Sequence, residues 1–324
     1  MKNDKSLIKN TESYKKAQFP GMNLMTRFSK EEDKIINLGL TSINEKFDEG
    51  VSQALDFLTE IGTRYLNERK EQEAEKMVVS IKEIGKAAAL QRMENAAVSA
   101  IRALEKILQC SMEQNTEGTT VRILLSFGAI GKTAAEQQLE VVAKLAASVL
   151  GKSGNTAALL NRERETIAVV IGLGEIGKAV YKIKFPDISE NAAVCISCLG
   201  DMGKLTAQRS FEEAAVGVEL MLEEMAAAAM QENLQNSVRS IATSIEEIGK
   251  SAEEEEMESA VFQAASALQT IMSSAESRYL NDASIAAKIA LESFNDLDII
   301  NDEANIKKIE EIREMMRALW EDSK

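Results

Sequence analysis

The chain has 324 residues, of which 45% are apolar, 4% aromatic and 28% charged, with two prolines and no histidine. The missing histidine excludes Ser-His-Asp, Cys-His and H-E-x-x-H chemistry and removes the commonest general base and zinc ligand. The net charge of −14 argues against sequence-independent binding to phosphate backbones and matches a basic protein or peptide better.

Abundant Ala, Glu, Ile, Leu and Lys favour helix over sheet. The three cysteines, an odd count, point to a reducing compartment without a disulfide framework. No apolar run is long enough to span a bilayer, and the first residues lack a secretory leader. The expectation is a cytoplasmic protein with no membrane insertion.

Residues 1–30 carry seven Lys/Arg and two Asp/Glu, a net +5, which leaves −14 − 5 = −19 on the remainder. With Pro20-Gly21 they read as a mobile basic tail outside any repeat. From residue 31 a repeat begins. Large apolar residues recur at Ile35, Leu58, Ile81, Leu104, Phe127, Leu150, Leu173, Leu199, Leu222, Ile245, Leu268 and Leu291, with every step 23 residues except one of 26. Four residues beyond these positions stand Gly85, Gly131, Gly177, Gly203 and Gly249, in pieces such as "SIKEIGKAA" and "SIEEIGKSA". Leu108, Met272 and Asn295 are the exceptions.

Within one unit Met77, Val78, Ile81, Ile84 and Ala88 fall on one stripe of a helix. The glycine sits on that stripe at a cost of about 1 kcal/mol relative to Ala. Close approach between helices is the offset expected. Phe47, Met93, Leu139, Phe211, Leu234, Met257 and Leu280 each precede an acidic or amide side chain, which reads as a hydrophobic staple before a helix start. Each unit is then a helix of about 17–19 residues plus a turn, and two units form a 46-residue hairpin.

Two glycine-containing segments offer an alternative. Residues 146–153, ending Gly151-Lys152-Ser153, resemble a permissive phosphate loop, and Gly172, Gly174 and Gly177 spell G-x-G-x-x-G, with Glu190 as its acidic partner. Both lack the strand that such sites require. The expected reading is a helix ending at "GKSGN" in the first and one repeat copy in the second.

The three-residue insertion near 184–191, around Pro186, shifts the strong glycine copies to the other helix of each pair. It predicts two sub-arrays, 31–184 and 185–324, with a change of curvature between them. Cys195 and Cys198 form C-x-x-C, but with no second pair and no histidine they read, like Cys110, as buried small hydrophobes. The pairs Glu83–Lys86, Glu175–Lys178, Asp201–Lys204 and Glu247–Lys250 are spaced for weak i, i+3 contacts. Glu253, Glu254, Glu255 and Glu256 form an acidic run at a helix end, the candidate partner-binding patch. The last segment, with Trp320, is expected to cap the array.

The 46-residue pair and the repeated "IGKxA" and "LxxIG" pieces over 31–322 resemble the HEAT/armadillo class of α-solenoids. That resemblance implies an all-α superhelix of 12–13 antiparallel helices serving as a binding scaffold. The functional expectation is a non-enzymatic scaffold, without cofactor or metal, that binds a basic protein or extended peptide on its curved surface. The alternatives are a nucleotide or dinucleotide binder using 146–153 or 172–177, and a nucleic-acid-binding solenoid.

Overall fold

The computed structural model describes residues 30–183, 188–294 and 302–323. Among the described residues it contains thirteen α-helices and no strand: α1 (Lys30–Asn44), α2 (Asp48–Asn67), α3 (Glu71–Leu90), α4 (Glu94–Gln114), α5 (Glu117–Glu136), α6 (Glu140–Leu159), α7 (Glu163–Lys182), α8 (Ile188–Gln208), α9 (Glu212–Gln231), α10 (Gln235–Glu254), α11 (Glu258–Ser277), α12 (Asn281–Glu292) and α13 (Glu303–Glu321).

The 23-residue period is a helix of 20 residues and a turn of three. Among the described residues, ten turns of the array each hold one left-handed residue at the same register: Lys46, Arg69, Arg92, Asn115, Gln138, Asn161, Ser210, Asn233, Glu256 and Tyr279. These turns are Schellman closures. In the first, the Phe47 N–H donates to Ser42 O at 2.8 Å and the Lys46 N–H to Ile43 O at 3.0 Å. Met93 N–H to Ala88 O and Leu139 N–H to Ala134 O repeat the first of these bonds.

The apolar residues that read as staples therefore do a different job. Phe47, Met93, Leu139, Leu234, Met257 and Leu280 close the preceding helix and themselves hold the N-cap position of the next, with no side-chain cap bond. In α5, α11 and α12 an open N–H is satisfied from the previous repeat instead. Glu71 Oε1 accepts from the Thr119 N–H at 3.4 Å, Glu212 Oε1 from the Ser259 N–H at 3.0 Å and Gln235 Oε1 from the Asp282 N–H at 3.3 Å. The acidic residues that crowd the first turns serve the helix dipole, and Glu71 and Glu212 also cap a neighbouring helix.

Each array helix packs on the next and on the next but one, so odd helices (α1 to α11) form one layer and even helices (α2 to α12) the other. The pattern continues from α6 to α8 and from α7 to α9 across the insertion, while the turn itself, with Pro186, lies outside the described residues and Glu190 falls in the first turn of α8. The basic tail of residues 1–29 and Asn295 lie outside them too. The repeated glycines meet the expectation of close approach. A Cβ on Gly39, Gly62, Gly85 or Gly131 would stand 2.5–2.9 Å from the Cδ1 of Ile84, Ile107, Ile130 or Ile176, each 45 residues further on. The apolar residue preceding one helix's glycine position thus fills the notch left by glycine two helices earlier.

The last helix departs from expectation. It does not extend the array as a cap. Instead α13 turns back and lies across the odd layer, against α11, α9 and α7.

Candidate functional site

The odd layer presents one face to α13, and the sequence of α13 fits it by helical spacing. Asn305, Ile309, Ile312, Met316 and Trp320, at i, i+4, i+7, i+11 and i+15, are its buried residues. At one end Ser259 of α11 donates to Asn305 Oδ1 at 2.9 Å. In the middle Met316 Sδ stands 3.1 Å from where a Cβ on Gly217 of α9 would be. At the other end the Trp320 ring lies 3.4 Å from the corresponding point on Gly128 of α5. Beyond it, Lys82 of α3 donates to the Ser323 carbonyl at 2.6 Å. A 19-residue helix is about 28 Å long, enough to cross four helices packed 8–10 Å apart.

Glycine makes this face shallow enough to receive the helix. The same Gly128 position is only 2.6 Å from the Gly172 Cα, so α5 and α7 approach backbone to backbone beneath Trp320. The even helices α4 and α6 above this point pack less extensively on each other. Leu108 of α4 stands where glycine is usual, and Ser153 of α6, 45 residues on, replaces the usual large residue. Bulk has exchanged sides at that contact.

Charged residues line one flank of α13. Lys132 pairs with Glu175 at 2.5 Å, Glu175 with Lys178 at 2.6 Å and Lys178 with Glu224 at 2.5 Å, a chain of alternating sign running over α5, α7 and α9. Burial acts to raise Glu175, but Lys178 and Lys132 outweigh it and hold the carboxyl below its ordinary value. Lys132 also sits 5.5 Å from the centre of the Trp320 ring, in cation–π range. A cleft of about 340 Å³ opens between this chain and α13, lined in part by Met221, Arg313, Met316 and Trp320.

On α9 the face is acidic. Glu212, Glu219 and Glu223 lie on one line of the helix, at i, i+7 and i+11. Glu212 takes Lys308 of α13 as its ion partner. Glu223 accepts from Gln263 of α11 at 2.9 Å and lies within the field of Arg313 of α13. Glu219, between them, is fully buried, and neither carboxylate oxygen has a hydrogen-bond partner among the described residues. Burial, and then the neighbouring Glu223, push this carboxyl well above the usual range. Nothing in the repeat pattern singles out Glu219; its signal is a carboxylate at a register that Val78, Leu124 and Val170 fill in α3, α5 and α7, although Glu32 holds it in α1, where Tyr65 donates to it.

The residues marked by sequence fall elsewhere. Glu253 and Glu254 end α10, and Glu255 and Glu256 form the turn into α11, with Glu254, Glu255 and Glu256 exposed. They share an end of the array with the first turns of the odd helices, where Glu117, Glu163, Glu165 and Glu212 stand. The expected helix end at "GKSGN" is not there: α6 runs through Gly151 and Gly154 to Leu159. A Cβ at Gly151 would meet Cys198 at 2.6 Å, and one at Gly154 would meet Met202 and Val169. Residues 172–177 are likewise mid-helix, with Gly172 against Leu150, Gly174 against Met221 and Gly177 against Met225. Neither segment has a free loop of N–H groups with which to cradle a phosphate.

Cys195 is buried, with its thiol pushed up to about 12 by burial and by Cys198. Cys198 fills the notch at Gly151 and is half-buried, as is Cys110. Among the described residues no His/Cys/Asp/Glu group is arranged to hold a metal, and no helix is long and apolar enough to cross a membrane. Of the four i, i+3 pairs, Glu83–Lys86, Glu175–Lys178 and Asp201–Lys204 form. Glu247 pairs with Lys204 of α8 instead, and Lys250 with Glu246.

No protein-family model matches the chain, and no curated protein matches it. Among solved structures it is similar to one described as "Circular tandem repeat protein with novel repeat topology and enhanced subunit contact surfaces", at 12% identity and a TM-score of 0.55, over 90% of this chain and 74% of that one. At that identity the likeness concerns the fold: an all-α tandem-repeat solenoid.

Proposed function

We propose that this chain is a non-enzymatic, cytoplasmic scaffold that binds a basic protein segment on the odd face of its solenoid. The observation that carries the reading is α13 itself. A helix with an apolar stripe, and with Lys308 set on Glu212, already occupies that face. Stacked repeats offer long continuous surfaces of this kind because each unit contacts only its neighbours. The carboxylates at the first turns of the odd helices, with Glu253, Glu254, Glu255 and Glu256 at the same end, supply a field that attracts cations. The same field opposes nucleic acid, and the two glycine segments are filled by side chains.

The test uses two synthetic helices with one apolar stripe, one carrying lysines on its polar face and the other glutamates. The cationic helix is expected to bind more tightly, and to lose affinity steeply as salt rises from low to physiological levels. Equal binding of both, or indifference to salt, contradicts the reading. ATP, GTP, NAD and NADP are expected to leave the thermal midpoint unchanged; a rise with any of them would favour the nucleotide alternative.

A further inference from the structure

The helix that occupies the odd face is built to stand alone, and it fits the face imperfectly at one point. The array helices α5, α11 and α12 each take an N-terminal cap from the preceding repeat. By contrast, α13 carries its own: Asp302 accepts from the Ala304 N–H at 3.0 Å. It also holds its own ion pairs, Arg313–Glu310 at 3.0 Å, Lys307–Glu311 at 3.6 Å and Arg317–Glu314. These local contacts leave with the helix, so detaching α13 removes no cap from the array.

The misfit is Glu219. Val170 of α7 lies 3.9 Å from the Cβ position of Gly217 of α9, at the spot that Met316 covers. One repeat further on, the same register pairs Glu219 of α9 with Gln263 of α11. Lys308 pairs with Glu212 on one side, and Arg313, paired with Glu310, acts on Glu223 on the other only through its field. The α13 side chains between those two cations that face the array are Ile309 and Ile312. In register, the resident helix carries hydrocarbon between the cations that serve Glu212 and Glu223, while Glu219, between those two carboxylates, is buried with no hydrogen-bond partner among the described residues. Such a group is costly to keep ionised and unpaired, and much less so once a cation is set against it. The fold does not require it, since Val78, Leu124 and Val170 fill the same register with apolar side chains.

Resting on the reading of the odd face as the binding surface, we propose that α13 is a displaceable resident, and that the partner replacing it is an amphipathic helix with the same apolar spacing and a lysine or arginine where α13 has Ile309 or Ile312, its cation meeting Glu219. Charge complementarity with the α9 carboxylates then selects the partner over the resident.

Trp320 is the only tryptophan, so its emission reports whether α13 is docked. The full chain is titrated with synthetic helices of residues 302–323 in which Trp320 is replaced by Phe. One keeps the parent sequence, one carries Ile309→Lys and one carries Ile312→Lys. At least one lysine helix is expected to bind about tenfold or more tightly than the parent helix and to red-shift Trp320 as α13 leaves. That advantage is expected to vanish on chains carrying Glu219→Gln, or Glu219→Val, the residue that the register carries in α7. Lysine helices that bind no better than the parent, or keep their advantage without Glu219, overturn the proposal. If no 302–323 helix binds but the cationic probe of the previous test does, this inference fails and the scaffold reading stands; if neither binds, both fail.

Discussion

Ile130 fills the notch above Gly85: its Cδ1 is 2.7 Å from where a Cβ on Gly85 would stand, with the Ala100 Cβ 2.8 Å away on the other side. The three residues belong to α5, α3 and α4, so a single missing methyl lets three helices meet. The relation recurs through the array, at Gly131, where Ile176 and Ala146 close in, and more tightly still at Gly203 against Ile248.

Gly131→Ala therefore sets two effects against each other. Helix propensity favours Ala by about 1 kcal/mol, and overpacking costs about 1–3 kcal/mol. With Ile176 Cδ1 only 2.5 Å from the new methyl, overpacking is expected to win, for a net loss of up to about 2 kcal/mol. Adding Ile176→Val, which removes that Cδ1, should recover part of the loss, so the pair is non-additive in urea unfolding.

The ten left-handed turn residues are all non-glycine. A Cβ in that conformation is strained by about 1 kcal/mol, and glycine is not. Arg92 is exposed with φ 56°, and its replacement by glycine should raise stability by up to about 1 kcal/mol. Gln138→Gly should do the same. A lowered thermal midpoint in both variants would show that the side chains supply something the turn geometry does not.

Glu219 gives a pH signature. Burial raises its carboxyl well above the ordinary 4.5, so the folded chain keeps a proton that the unfolded chain loses. The stability it contributes is full below the unfolded value and declines as pH rises toward the folded one. Glu219→Gln removes that decline. It should stabilise by about 1–3 kcal/mol near neutral pH and lose the gain on acidification to about pH 4. Thermal midpoints across that range check both the sign and the window.

Glu212 serves two partners, the Ser259 N–H of α11 and Lys308 of α13. Glu212→Ala should cost about 1–2 kcal/mol, because it leaves a helix N–H without its acceptor. Lys308→Ala removes only the partly exposed ion pair and should cost less than about 1 kcal/mol. Equal losses in the two variants would contradict capping across repeats.

The array was legible in the sequence because its determinants are local and periodic. The apolar series from Ile35 to Leu291 and the glycines four residues on hold their phase through every turn, and the 26-residue step appears as the interval between the left-handed Asn161 and Ser210, 23 + 26 = 49. The position of α13 was not legible. Its stripe of Ile309, Ile312, Met316 and Trp320 announces a buried face, but an amphipathic helix fits an array end as well as its flank. Only the shallow floor at Gly128 and Gly217 decides between them, and that floor is made by residues about 100–190 positions away. Glu219 was hidden for a similar reason. A glutamate among "AAVGVELMLEE" looks like any other in an acidic chain until neighbouring helices bury it. The acidic run at Glu253 to Glu256 was conspicuous for its composition, yet it forms a helix end and a turn.

Hydrogen–deuterium exchange of the full chain, resolved by segment, tests most directly whether α13 is a separable occupant of a continuous array. Amides of 303–321 are expected to exchange about tenfold or more faster than those in the middle of α5, α7 and α9, and faster still when the lysine-bearing helix is added, while the array keeps its protection. If α13 exchanges in step with α5, α7 and α9, with and without that helix, it is an integral part of the solenoid and the account is wrong.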